Sequence, residues 1–318
     1  MKLSMNALLF ALVSLVAGGS ALACSLDGKD GFLPRNNRYI PVRKVVLDRR
    51  GNPLGGGITE PEFNGVLDAV EKVYAPIVKQ MGGNFVVHRE WQDGTVNAYA
   101  DRNDGNWNIT MFGGLARHQE TTIDAFLLVA CHELGHHIGG APIKRGRGWP
   151  ANEGQADYWS TLKCARRVLL KTNNLRELRR LDVPAEVHEA CASKFKNANE
   201  GALCERSSMA GKALARLLAD LGGSKMPEFN TPDPSQVSST DDNHPEAQCR
   251  LDTYYHGATC EVPFEKDVDF NDPTINTCAQ EKGAKDSFRP RCWYAPKQDN
   301  RTHHARPNPH SRDAARNY

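Results

Sequence analysis

The sequence predicts an α+β domain: a small antiparallel or mixed sheet, then a helix bearing the chemistry, then a second helix bearing a glutamate. Three observations carry that expectation. Segments of period-two alternation lie between residues 85 and 112. The run Cys131–Gly140 sets His-Glu-x-x-His inside a helical pattern, and Glu153 and Asp157 follow four residues apart. Alternation sends successive side chains to opposite sheet faces, whereas residues four apart share one face of a helix.

Taken in order, Val45–Leu47 is a short strand candidate. Thr59 to Gln80 reads as a helix, with a Thr59/Glu62 capping box and an apolar stripe of Phe63, Val66, Val70, Tyr74 and Ile77. Phe85–Trp91, Thr95–Asp101 and Trp107–Phe112 read as strands, the last two joined by the turn Arg102–Asn106. In the last strand Trp107, Ile109 and Met111 alternate with Asn108, Thr110 and Phe112, which suits a sheet with one face on the core. Thr121 is placed to cap the next helix, whose Ile123, Phe126, Leu127, Ala130 and Leu134 recur at helical spacing before the stop at Gly139-Gly140. Tyr158, Leu162 and Val168 continue the second helix. Further helical patterns cover Asn174–Arg180, Pro184–Lys196 and Leu203–Leu221; Pro227–Thr240 is a polar connection, and Pro245 opens another helix. From Lys297 to Tyr318 few apolar residues occur and a disordered tail is expected, with His303, His304 and His310 as solvated side chains.

The chemistry concentrates on two helices. His132 and His136 can place two ring nitrogens on one metal ion, with Glu133 beside them to hold a water and accept its proton. A third histidine in the pattern H-E-x-x-H-x-x-G-x-x-H would fall at Pro142, which cannot bind metal. The remaining common arrangement takes a glutamate from a following helix. After the Gly/Pro/Arg-rich reversal from Gly139 to Pro150, Glu153 completes a His-His-Glu set for one zinc ion. Asp157, on the same face, is placed to accept the second N–H of a zinc-bound imidazole.

Five sequence elements in this order carry a family resemblance. They are Asn97-Ala98-Tyr99-Ala100, Gly113-Gly114-Leu115, His132-Glu133-Leu134-Gly135-His136, Glu153-Gly154-Gln155-Ala156-Asp157, and His244-Pro245 followed by Arg250. Over about residues 85 to 251 the chain resembles the gluzincin metallopeptidases, in particular the group of CAAX prenyl proteases, heat-shock HtpX-type peptidases and their soluble periplasmic relatives. The resemblance implies a zincin-like metallopeptidase domain with zinc ligands His132, His136 and Glu153 and general base Glu133. It also implies His244 and Arg250 as catalytic groups that stabilise the oxyanion, with Tyr254, Tyr255 and His256 as outside candidates. A strand at the cleft edge is implied too, where Asn97 and Ala98 would bind an extended peptide. The membrane-spanning helices of the prenyl proteases are absent here, and the cysteine-rich region from Cys164 onward departs from the pattern, so substrate identity does not carry over.

Residues 1–23 read as a secretory signal: Lys2, an apolar run from Ala7 to Ala17, and Ala21-Leu22-Ala23. Cleavage after Ala23 leads to an exported chain, periplasmic or secreted. Because Cys24 would come first, an outer-membrane lipoprotein anchored there is the alternative. The expected division is a signal peptide (1–23), a metallopeptidase domain (24–262) and a cysteine-containing extension (263–318) with the tail from about 297. No later run is long enough to cross a bilayer. The formal charge of +2 falls to +1 without Lys2, and no basic stripe with interleaved aromatics occurs, so nucleic acid is not an expected partner. Lys144, Arg145 and Arg147 read as a solvated basic loop. Nine cysteines in an exported chain point to disulfides, with Cys191–Cys204, Cys249–Cys260 and Cys278–Cys292 as one partition and Cys131 as a buried free thiol. The expected function is a zinc-dependent endopeptidase acting on a peptide or unfolded protein, exported or misfolded. A non-proteolytic, chaperone-like zinc protein and a zinc amidase acting on the cell wall are the two other readings.

Overall fold

The computed structural model describes residues 30–43 and 54–296. The signal segment, Cys24, the strand candidate Val45–Leu47 and the histidines of the tail lie outside the described residues. The order of elements is β1 (Asp30–Gly31), α1 (Glu60–Gln80), β2 (Asn84–Glu90), β3 (Ala98–Asn103), β4 (Asn106–Phe112), α2 (Gly113–Ala116), α3 (Ile123–Ile138) and α4 (Glu153–Trp159). After a π-helical turn at Ser160–Cys164 come α5 (Ala165–Leu169), α6 (Asn174–Leu178), α7 (Ala185–Lys194), α8 (Ala198–Gly222) and α9 (Ala247–Thr259). The α+β class is as expected.

The sheet is mixed, ordered β1-β3-β4-β2, with β3 antiparallel to both β1 and β4 and β2 parallel to β4. The β3–β4 hairpin turns at Asp104-Gly105, both at positive φ; glycine adopts that conformation without a Cβ penalty, and aspartate tolerates it better than most residues. Parallel pairing of β2 with β4 requires a crossover rather than a hairpin between them, and β3 supplies it.

Helix α1 begins as the sequence predicts. Thr59 accepts from the Glu62 amide, Glu62 reaches back to the Thr59 amide, and Phe63, Val66, Val70, Tyr74 and Val78 are buried. Helix α3 is different in kind. From Ala125 to Ile138 every side chain is buried, and the helix contacts α1, α4, α8, β3 and β4. A helix apolar on nearly all sides is a core helix, so its polar exceptions demand an explanation. Its cap is Thr122, which accepts from the Ala125 amide, while Thr121 donates to the Leu115 carbonyl. The cap is therefore one residue later than the sequence suggests.

Four disulfides close the structure: Cys131–Cys164, Cys191–Cys204, Cys249–Cys292 and Cys260–Cys278. Only Cys191–Cys204 was among the expected pairs. Short sequence separation favoured Cys249–Cys260 and Cys278–Cys292, but α9 holds Cys249 and Cys260 at opposite ends, so each bonds to the returning chain instead. Cys131 is no free thiol: it ties α3 to the turn after α4. Residues 263–296 pack back on the domain, where Trp293 is buried against Gly154, whose added Cβ would fall 2.2 Å from the Trp293 ring. No helix among the described residues is long and apolar enough to cross a membrane.

A disulfide spanning 33 residues limits the unfolded chain by roughly 3–4 kcal/mol in the loop-entropy picture. The double variant Cys131→Ala/Cys164→Ala should lose about 2–4 kcal/mol in urea unfolding. A loss below about 0.5 kcal/mol would show that the packing of α3 on α4 alone sets this junction.

Candidate metal centre

Close approach of two helices creates the centre. A Cβ on Gly135 of α3 would lie 3.2 Å from the Ala156 Cα and carbonyl and from the Trp159 ring, so a side chain here would press α4 outward by a few tenths of an ångström. Asn152 caps α4 through the Gln155 amide, which sets Glu153 as the first helical residue, facing the histidines. Glu153 Oε2 lies 3.2 Å from His132 Nε2, and Glu153 Oε1 lies 3.7 Å from His136 Nε2. One ligand atom from each of the three falls within 4.8 Å of the others.

All four residues, Glu133 included, are at most 1% exposed. His132 Nε2, His136 Nε2, Glu153 Oε2 and both Glu133 oxygens make no hydrogen bond. Buried polar atoms left unsatisfied cost about 1–3 kcal/mol each, so the three that converge from His132, His136 and Glu153, with the Glu133 carboxylate on the same helix, mark a site built for something else. Their chemistry fits a divalent cation with nitrogen and oxygen ligands. The far side of each ring supports the same assignment. His132 Nδ1 donates to Asp157 Oδ1 at 2.7 Å and His136 Nδ1 donates to the Ala151 carbonyl at 2.8 Å, which leaves each Nε2 as the nitrogen that faces the centre.

Asp157 is itself held. Arg250 donates to both its oxygens at 2.7 Å, and the Tyr254 hydroxyl donates to Oδ1 at 2.6 Å. Burial pushes the Asp157 carboxyl up, but Arg250 and His132 outweigh it and hold it below its ordinary value. For His132 burial works against the proton, yet Asp157 prevails and raises the ring to about 9. His136 lacks such a partner, and burial takes it down to about 4. Burial lifts Glu133 to about 8, with the positive His132 opposing. Glu153 would be raised by burial, but His244, Lys144 and His136 hold it well below the carboxylate range.

The structure relocates several expected residues. Arg250 is wholly buried and committed to Asp157 and, at 2.8 Å, to the Phe32 carbonyl, so it positions the carboxylate behind His132. His244 does reach the centre: its Nε2 lies 3.4 Å from Glu153 Oε2 and donates to the Gly31 carbonyl at 2.7 Å. Of the outside candidates, Tyr254 joins Asp157, while the Tyr255 hydroxyl faces the Glu186 carbonyl and His256 bonds the Phe288 carbonyl.

Asn97 and Ala98 do not form an open edge. β3 is interior, and the extended chain from Asp30 covers its outer side. Phe32 N–H donates to the Ala98 carbonyl at 3.0 Å, and the Asn97 side chain exchanges two hydrogen bonds with Leu33. Lys144 was expected in a solvated loop. It is 3% exposed and donates to Glu153 Oε1 at 2.7 Å. No local signal distinguished it from Arg145, since only the folding back of the connection over α4 buries it. Comparison with family models, curated proteins and solved structures returned no match to this chain.

Because the metal-free His132 ring keeps its proton up to about 9, a cation entering at Nε2 must displace that proton throughout the neutral range. Apparent zinc affinity should rise about tenfold per pH unit between roughly 6 and 8 in competition with a chromophoric chelator. Asp157→Asn removes the charge that holds the proton there. Its pH dependence should flatten, and its affinity at high pH should fall about 10- to 100-fold. An unchanged slope would mean that Asp157 does not govern His132.

Proposed function

We propose that this chain is a zinc-dependent endopeptidase of gluzincin type, hydrolysing peptide bonds of exported or misfolded proteins. One observation carries the reading: ligand atoms of His132, His136 and Glu153 converge within 4.8 Å, and on the same helix Glu133 is wholly buried with neither oxygen hydrogen-bonded, a carboxylate that a purely structural metal site would not need. The His-Glu-x-x-His helix with a glutamate from the next helix is the donor set the resemblance implies. Four disulfides fit the oxidising compartment that the leader suggests.

Zinc held by His132, His136 and Glu153 would supply Lewis acidity for the scissile carbonyl and a water ionising near pH 7. The protein's own groups do the rest. Asp157 and the Ala151 carbonyl fix both imidazoles with Nε2 inward, and Lys144 holds Glu153 ionised and oriented. Glu133, lifted to about 8 by burial, is a strong enough base to take a proton from water and pass it to the departing amine. A nearby cation lowers that value, so the base is in its active form at neutral pH. His244 already donates from Nε2 to a main-chain carbonyl at 2.7 Å, the contact an oxyanion donor requires.

A cell-wall amidase would use the same water chemistry. The peptidase reading is preferred because the donor set, the His-Glu-x-x-His helix with Glu153 from the next helix, is the one the resemblance to metallopeptidases implies.

Purified protein should bind about one zinc per chain and degrade casein, with the activity removed by a chelator and restored by zinc. Glu133→Gln keeps the shape but not the base, so zinc content should hold while turnover falls by roughly two to four orders of magnitude. Turnover within about tenfold of wild type would exclude Glu133 as the base.

A further inference from the structure

The centre is buried, and the segment from Asp30 to Leu33 packs against it at His132 and His244. Asp30 and Gly31 pair antiparallel with Ala100 and Tyr99, and Phe32 N–H donates to the Ala98 carbonyl, so the segment runs along β3 as an added strand. The polar contacts read its main chain. Asn97 accepts from the Leu33 amide at 2.9 Å and donates to its carbonyl at 3.1 Å, Arg250 donates to the Phe32 carbonyl, and His244 donates to the Gly31 carbonyl. A side-chain amide that both gives to and takes from one residue's backbone is a clasp for extended peptide, indifferent to that residue's side chain.

The side chains of Phe32 and Leu33 are both buried, and the closest fits are at Gly31 and Phe32. Gly31 fits because it has none: a Cβ there would lie 2.7 Å from Asn97 Nδ2 and 2.8 Å from Tyr99 Cε1. Phe32, wholly buried, meets the edge of the His132 ring at a centroid distance of 5.2 Å and lies under the Arg250 guanidinium at 4.3 Å. An aromatic ring gains from both contacts, one edge-to-face and one cation–π. Beyond Leu33 the character changes abruptly, since residues 34 to 39 are all exposed.

We propose that Gly31-Phe32-Leu33 is a built-in pseudo-ligand. It occupies a peptide-binding groove, formed by β3, Asn97, His244 and Arg250, that selects a small residue followed by an aromatic one. The groove takes extended peptides of that pattern, and the protein is latent until the segment is displaced. Latency rests on the peptidase reading of the same centre; the groove does not. His132, His136, Glu133 and Glu153 are buried while a substrate must reach them, and this segment takes the hydrogen bond of His244 and packs the Phe32 ring against His132. The groove is therefore seen filled.

The exposed stretch from Pro34 to Asn37 allows a direct test. A site-specific protease sequence placed there separates the segment from the domain without altering a buried residue. The probe is a labelled synthetic peptide carrying residues 28–35 of this chain. Uncut protein should take up little probe, whereas cut protein should bind about one equivalent, and the same peptide with Phe32→Ala should bind at least about tenfold more weakly. Zinc should leave the cut, peptide-free protein for a chelator at least about tenfold faster than the uncut protein, and added probe should slow it again. Cut protein that stays folded but takes up no probe would overturn the proposal, as would unfolding on cutting, which would make the segment an integral strand. Probe binding by cut, zinc-loaded protein that leaves casein intact would remove the peptidase reading while keeping the groove.

Discussion

The carboxylate of Asp157 is the constraint on which the structure turns. It accepts from His132 on α3, from Arg250 and Tyr254 on α9, and it is carried by α4, so three helices meet at two oxygen atoms. Arg250 extends the network to the Phe32 carbonyl and so to the N-terminal strand. Every member is buried. Removing one partner of such a set costs roughly 3–5 kcal/mol, because the charge left behind has neither water nor counter-ion. The arrangement therefore acts as a specificity device: α3, α4 and α9 have one mutual register in which all these groups are satisfied.

That register is what makes the metal ligands useful. An imidazole binds through one nitrogen only if the other holds the proton, and the Asp157 contact decides this for His132 as the Ala151 carbonyl does for His136. The two rings nevertheless differ. A carboxylate raises the affinity of His132 for a proton, and a neutral carbonyl leaves His136 to the effect of burial. A metal entering this centre would meet one basic ring that must first lose a proton and another already free of it.

The disulfides reinforce the same junctions. Cys131 precedes His132 directly and bonds Cys164 beyond α4, while Cys249 precedes Arg250 directly and bonds Cys292. Two of the four bridges thus anchor the residue beside a member of the Asp157 network. The returning chain brings Arg289 onto Gln155, whose amide holds the Gly139 carbonyl at the end of α3. Residues 263–296 consequently complete the shell around the two helices that carry the candidate ligands.

What the sequence determined by itself was local in origin. The capping box of α1, the β3–β4 hairpin and the shared faces of His132/His136 and Glu153/Asp157 follow from periodicity and side-chain reach within a few residues, and each is found where expected. What the tertiary structure decided depends on distant segments meeting. Lys144 and Arg145 look alike in sequence, yet one contacts a metal-ligand carboxylate and the other an exposed Asp242. Arg250 serves Asp157 because α9 packs on α4, and cysteine pairing follows which helix ends and loops come together rather than which cysteines are nearest in the chain. The closure of β3 by Asp30–Leu33 joins residues more than sixty positions apart. Hydrogen bonds to main chain carry no trace in composition or spacing, and for that reason the strand that covers the site could be found only in the folded molecule.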